Sequence, residues 1–263
     1  MMKLELVSKE EQKLSFTIEG LEYWFVNALR REMINRVPVL SIEDIEFKSN
    51  DSALYDEIVA LRLGLLPIKT DSKMNLPEEC TCKGEGCSLC QVVFTLKEKG
   101  PKTIYAKHLK SKDPKIVPIF PDMPLVKLDK NQALEFQATA VMGIGKEHMK
   151  WSPCLAFYQY YPDLKVASGK CGKDPKPIAD SCPKDIFTIK AGKLEVNEKN
   201  KLSCHLCKAC VDIAPEGCIS LELDENKHLF TVESWGQLPC KEIVLEATKV
   251  FDKRLSELSE LLK

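Results

Sequence analysis

The chain lacks a run of about 18 uncharged apolar residues, so no membrane-spanning helix is expected. Residues 1–11 are charged throughout and have no apolar core of the kind a secretory leader needs. Excess charge is missing as well. With 38 Lys and Arg against 39 Asp and Glu the net charge is −1. That balance offers no large basic surface for phosphates, so if the protein works near DNA or RNA, other chains hold the backbone. The familiar catalytic signatures are absent: no G-x-x-x-x-G-K-[ST], no G-x-G-x-x-G, no H-E-x-x-H. No Asp-x-Asp-x-Asp cluster suggests Mg²⁺. The four histidines are scattered; His205 lies between cysteines and reads as an exposed side chain. Gly143-Ile144-Gly145-Lys146-Glu147-His148 lacks the Walker spacing and reads as a tight turn before a strand. Neither a solenoid-type repeat nor a low-complexity tract is found.

What the chain does have is cysteine, 12 in 263 residues. Without a secretory leader, cysteines read as metal ligands before they read as disulfides, which places the protein in the cytosol. A hydrophobic fraction of 44% and a charged fraction of 29% describe a globular protein with a real core.

The pattern of apolar residues predicts an α+β fold. Leu4 and Leu6, then Leu14, Phe16 and Ile18, alternate with polar residues as strands do. Leu21–Arg36 reads as a helix with Phe25, Leu29 and Met33 on one face, stopped by Pro38. A second helix fits Ser52–Leu66, with Leu54, Ile58, Leu61 and Leu65 on its apolar face and Asp51 or Ser52 as cap. Strands are predicted at Val92–Leu96, Leu134–Val141, Leu155–Tyr161 and Leu229–Glu233. The clearest helix is Pro239–Lys263, with Ile243, Ala247, Val250 and Leu258 at helical spacing.

Two cysteine groups carry chemistry. Cys204, Cys207 and Cys210 form a C-x2-C-x2-C run, the spacing that wraps a backbone around an iron–sulfur cluster. The ferredoxin pattern takes its fourth thiolate from a remote Cys-Pro, and Cys182-Pro183 is such a dipeptide. The same template lacks a second cluster: its ligand positions fall on Gly172, Pro175, Ile178 and Ala214. Cys171 and Cys218 lie near these positions but out of register, and Cys171 stays open as a substitute fourth ligand. The cluster is 4Fe-4S, or 3Fe-4S if only the triplet binds; a zinc knuckle is the alternative. The second group is Cys80, Cys82, Cys87 and Cys90. Four thiols within 11 residues, with Gly84 and Gly86 between them, suit one tetrahedral Zn²⁺; an unmetallated or disulfide-linked loop is the alternative. Cys154 and Cys240 stand apart and read as buried packing residues.

Phe25-Val26-Asn27-Ala28-Leu29-Arg30-Arg31, the stretch from Leu54-Tyr55-Asp56-Glu57-Ile58 through Arg62-Leu63-Gly64-Leu65-Leu66-Pro67, the Gly143–His148 turn, the cysteine module and Glu233-Ser234-Trp235-Gly236 carry a resemblance. In this order they resemble the D-subunit family of archaeal DNA-directed RNA polymerase. That family is the counterpart of the bacterial α N-terminal domain and of the third-largest eukaryotic polymerase II subunit. The resemblance covers essentially the whole chain.

It implies a two-part dimerisation domain, residues 1–38 and 224–263. An α-like middle domain at 39–165 carries the Cys80–Cys90 loop, and a ferredoxin-like iron–sulfur domain at 166–223 is a further insertion. It implies a non-catalytic assembly subunit that forms a heterodimer with the L subunit and then recruits the small N and P subunits and the large catalytic subunits. Phe25 and Leu29 would face the partner, and Arg30 and Arg31 would meet the large subunits. Nucleotidyl transfer would happen on another chain. Two other functions fit the cysteines alone: an electron carrier, and a redox sensor whose cluster is an oxygen-labile staple.

Overall fold

The computed structural model describes residues 2–263. From the N-terminus the chain forms β1 (Lys3–Lys9), β2 (Lys13–Glu19), α1 (Tyr23–Asn35), β3 (Val39–Asn50), α2 (Asp56–Gly64), β4 (Gln91–Lys99), β5 (Lys102–Tyr105), β6 (Lys110–Ser111), β7 (Pro124–Leu128) and β8 (Ala133–Gly143). It continues with β9 (Cys154–Val166), α3 (Lys176–Asp180), β10 (Phe187–Lys190), β11 (Lys193–Val196), α4 (Ala209–Ile213), β12 (Ile219–Ser234) and α5 (Cys240–Leu261). The fold is mixed, with more strand than helix. Among the described residues no helix is long and apolar enough to cross a membrane.

The chain divides into two compact units. The first holds the N-terminal segment through Lys9, Ser15–Ala28 and Phe157–Thr231; the second holds Glu10–Leu14, Leu29–Ala156 and Val232–Lys263.

In the first unit the main sheet runs β1-β2-β12-β9. Ser15–Ile18 of β2 are all buried, so this strand is covered on both faces. Phe16 stacks on Phe230 at 5.4 Å, and the Ser15 and Thr231 hydroxyls lie 3.2 Å apart. The edge strand β1 leaves Leu4 and Leu6 exposed. A second apolar cluster gathers Leu164, Ile178, Ile186, Phe187, Leu194 and Ile219 around Cys171, Cys204, Cys210 and Cys218. Beside it β10 and β11 form an antiparallel hairpin whose turn places Ala191 and Gly192 at φ 48° and 72°. Those values are the left-handed pair that a two-residue hairpin turn requires.

His228 on β12 is 0% exposed, and neither ring nitrogen has a hydrogen-bond partner. The Tyr158 and Tyr160 rings enclose it, with centroids 5.6 and 5.3 Å away. Burial holds its pKa below the ordinary 6.5, against the opposing pull of Asp224 and Glu22. The folded state therefore binds fewer protons at this site than the unfolded chain does. Its stabilisation is complete above pH 6.5 and is lost as pH falls from there toward the depressed folded value. Denaturant titrations between about pH 8 and pH 5 are expected to show this loss, and His228→Phe to reduce it; an equal slope in both proteins would refute the assignment.

In the second unit the sheet runs β3-β8-β4-β6. Its inner strand β8 alternates as predicted, with Leu134, Phe136, Ala138, Ala140 and Met142 in the core against Phe94, Leu96, Leu40 and Ile42. The long strand β3 is not legible in the sequence. Its register shifts between Ile42 and Asp44 and again between Phe47 and Ser49, and each bulge resets the alternation.

The second helix differs from expectation in face and in cap. Val59 and Leu63 are its buried residues, with Leu66 following, whereas Tyr55, Ile58, Leu61 and Leu65 are exposed. The helix is apolar on two sides, so periodicity alone cannot choose between them. Its N-cap is Tyr55, which makes no side-chain capping bond. The Ser52 hydroxyl donates instead to the Asn50 side-chain oxygen at 2.7 Å.

The Gly143–His148 segment is a turn, as expected. A Cβ on Gly145 would lie 2.2 Å from the Ile34 carbonyl oxygen, and one on Gly143 would lie 2.4 Å from the Trp151 ring. Lys146 N–H donates to the Asn35 carbonyl at 2.9 Å. Gly145 lets the turn dock on the end of α1 and Gly143 makes room for the Trp151 ring, so both serve packing and not phosphate. At the other end of the chain, Arg254 of α5 pairs with buried Glu32, and Lys253 reaches Glu79 at 2.7 Å.

Candidate metal centres

A short turn of 3-10 helix, Pro77–Glu79, leads into the first cysteine group. Lys83, Gly84 and Gly86 at φ 54°, 85° and 95° reverse the chain, so that four thiols from one short loop converge. Cys80 Sγ lies 3.5 Å from Cys87 Sγ, Cys82 Sγ 3.5 Å from Cys90 Sγ, and Cys87 Sγ 3.9 Å from Cys90 Sγ. A zinc–thiolate tetrahedron with bonds of about 2.3 Å has edges of about 3.8 Å. All four sulfurs lie within 4.8 Å of one another. The donor set and its spacing therefore fit one tetrahedral ion, and the group can hold a metal.

The loop also prepares unlike thiols. The Gly86 amide lowers the pKa of Cys82 to about 6. Burial raises that of Cys90 to about 12. The Cys87 N–H donates to Cys90 Sγ at 3.3 Å, a bond that strengthens once the sulfur is a thiolate. Neutral thiols in this geometry favour one early deprotonation; a bound dication would favour all four.

The second cysteine group is assembled in the first unit. Cys182, Cys204, Cys207 and Cys210 line one small pocket, walled by Leu164, Ile186, Phe187 and Leu221. Cys182 enters after α3, where its N–H bonds the Ala179 carbonyl. The triplet is threaded through two left-handed residues, Leu206 at φ 60° and Lys208 at φ 63°. Such values are costly for non-glycine residues and mark a loop shaped for its side chains. Strand β9 holds the loop from behind, with Gln159 Nε2 donating to the Leu202 carbonyl at 3.0 Å. Burial raises the pKa values of Cys204 and Cys210, and the neighbouring thiolates, Cys182 and Cys207 among them, add to the rise. A positive cluster core would relieve both effects, so the residues present fit an iron–sulfur group.

Cys171 is not free to serve as the fourth ligand here. It forms a disulfide with Cys218. The expectation that these cysteines read as ligands before disulfides fails for this pair, because the fold brings two chain segments 47 residues apart into contact. Ile178, at a lost ligand position, packs into the same apolar cluster. Cys154 and Cys240 are buried packing thiols as expected, and burial raises the Cys154 pKa to about 12.

The expected partner residues divide. Phe25 and Arg30 are half-buried, Arg31 is exposed, and Leu29 is buried in the chain's own core. The exposed apolar residues of α1 are Tyr23 and Trp24, the latter 61% exposed. Helical periodicity singles out the inward face and passes over them.

Comparisons with known proteins bear on the family of the chain. The family model described as RNA polymerase Rpb3/RpoA insert domain matches residues 42–153. A relative from Methanosarcina acetivorans, described as DNA-directed RNA polymerase subunit Rpo3, is 35% identical over 99% of this chain and 98% of its own. Proteins of the same description from Methanothermobacter thermautotrophicus and Archaeoglobus fulgidus are 35% and 32% identical, over 98% and 100% of this chain and 97% and 98% of theirs. Similarity of this extent over the full length establishes that the chain belongs to the Rpo3 family, the archaeal D-subunit family, of DNA-directed RNA polymerase.

Proposed function

We propose that the chain is a non-catalytic assembly subunit of multisubunit RNA polymerase. It would form a heterodimer with the L subunit and then recruit the N and P subunits and the large catalytic subunits. The observation that carries this reading is apolar helix surface with nothing to cover it. Beyond residue 251 every residue of α5 is exposed, and Leu255 and Leu258 lie three residues apart on that segment with exposed Leu262 just past its end, Leu258 being 53% exposed. A lone chain gains nothing from leucines in water, while burying each against a partner is worth roughly 1.5–3 kcal/mol. We read residues 1–38 and 224–263 as the dimerisation domain, 39–165 as the middle domain and 166–223 as the ferredoxin-like domain.

In this reading Cys182, Cys204, Cys207 and Cys210 hold one iron–sulfur cluster, and Cys80, Cys82, Cys87 and Cys90 hold one Zn²⁺. Among the described residues only the Cys80 group brings its sulfurs within single-ion range. The wider second group suits a polynuclear cluster, in which each thiolate binds a different iron. Bound there, the cluster would supply fixed cross-links between α3, the triplet loop and α4, and its main work would be structural. Exposed Cys207 favours a second reading, in which the cluster also senses oxidants that reach it from solvent.

Co-expression with the L subunit tests the assembly reading. The two chains are expected to co-elute as a 1:1 complex. Leu258→Glu, a change at an exposed position, is expected to weaken that complex by about thirtyfold, the scale of an interface hot spot of about 2 kcal/mol. A chain that stays monomeric beside that partner, or a complex indifferent to Leu258→Glu and Leu255→Glu together, would overturn it.

A further inference from the structure

One cleft in the second unit involves none of the metal ligands. It spans about 710 Å³ between the 69–72, 114–119 and 234–239 segments. A second hollow of about 580 Å³ shares Glu11, Gln12 and Ser234 with it and extends to Phe120 and Trp235. The two make one groove.

Its walls are set by backbone hydrogen bonds. Lys69 N–H donates to the Val117 carbonyl at 2.9 Å, Thr70 N–H to the Gln237 carbonyl at 3.0 Å, and Ser234 N–H to the Gln12 carbonyl at 2.8 Å. Gly236, at φ 96°, closes the turn against Ile119, whose methyl would lie 2.6 Å from an added Cβ. Such walls are preformed and need little ordering on binding.

Three features describe the occupant. Gln237 in the wall is 4% exposed, and its Oε1 has no hydrogen-bond partner. An unmet carbonyl of this kind is costly, and turning the amide toward a donor in the groove would satisfy it. Val117, Phe120 and Trp235 along the groove are large, apolar and 42%, 39% and 46% exposed. The charges lean acidic: Glu10, Glu11, Asp71, Glu233 and Glu242 face Lys13, Lys69 and Lys115, and Lys13 is already paired with Glu233 at 2.7 Å. A phosphate would be repelled. A polypeptide supplies an amide donor, an apolar side chain and a cation together.

We propose that this groove receives an extended segment of another polymerase subunit, one that sets a basic residue beside an apolar one. The proposal rests on the polymerase-subunit reading and adds a binding site to it. The test places a benzoylphenylalanine photo-crosslinker at Val117 in the assembled polymerase, with a second sample carrying it at Trp24 as a control. The expected result is an adduct between position 117 and a single segment of another subunit that contains Lys or Arg. Glu11→Lys combined with Glu242→Lys should cut that adduct at least tenfold at equal incorporation of the chain. An intact polymerase that crosslinks from 24 but not from 117 would overturn the groove. So would an adduct to nucleic acid, or a yield unmoved by the charge reversal. A chain that never enters the polymerase would overturn the assembly reading and this site with it.

Discussion

Cys210→Ser is expected to abolish the cluster and unfold the 166–223 module while leaving the second unit folded. Cys210 and Cys204 are themselves core residues of that module, packed among Leu164, Ile186, Phe187 and Ile219. The elements around them are short: α3 and α4 have five residues each, and β10 and β11 four each. A core this small does not offset the chain entropy of its own loops, so in the proposed reading a bound cluster would supply the difference. Structural metal sites in small domains are worth on the order of 10 kcal/mol, more than such a module can lose and stay folded. Serine offers a hard, protonated hydroxyl where iron needs a soft thiolate. Visible absorption of anaerobically purified protein and limited proteolysis across residues 166–223 would read the effect. Cys182→Ser should match Cys210→Ser. A coloured, protease-resistant Cys210→Ser protein would sink the assignment, and so would a colourless parent that holds zinc at these four cysteines.

Breaking the Cys171–Cys218 bond is expected to cost the same module about 4 kcal/mol, the chain-entropy value for a closed loop of this size. The bond joins residues separated by 47 positions, and the loop it closes contains all four proposed cluster ligands. Both sulfurs lie in buried residues beside Ile178, so a reductant reaches them only when the module opens. Cys171→Ser should therefore lower the denaturation midpoint of the first unit and keep the cluster's absorption. Loss of the cluster in Cys171→Ser with retention in Cys182→Ser would reverse the ligand assignment. Equal stability of oxidised, reduced and Cys171→Ser protein would remove the bond from any structural role.

The lost ligand positions make these two predictions complementary. Where a second cluster would need thiolates, the chain has Gly172, Pro175, Ile178 and Ala214. The structure fills that region with the apolar packing of Ile178 and with a covalent bond between the two nearby cysteines. In the proposed reading one half of the module would depend on inorganic chemistry and the other on a side-chain cross-link. Each half should fail under a different reagent, an iron chelator or a thiol reductant.

Much of this is legible in the sequence where the physical signal is local. A C-x2-C-x2-C run and a loop dense in thiols declare themselves, because ligand spacing along the chain fixes reach. Strand β8 and helix α5 declare themselves through unbroken periodicity, β8 facing one core along its length and α5 only over its first turns, at Cys240, Ile243 and Ala247. Strand β3 does not, because two bulges interrupt its alternation. Helix α1 is legible as a helix, but its solvent-facing apolar residues are not: Leu29 turns inward, while Tyr23 and Trp24 stand in the solvent.

By itself the sequence determined the metal chemistry on offer, the absence of familiar catalytic motifs, most regular elements and the family. Each of these is written in neighbouring residues or in an ordered set of short motifs. Tertiary structure alone decided the matters that depend on distant segments meeting. It chose Val59 and Leu63 over Ile58 and Leu61 as the seated face of α2, because the sheet beneath accepts one side only. It brought Cys182 to the triplet and took Cys171 away to Cys218. It also built the acidic groove around Gln237 from distant segments that no spacing rule connects.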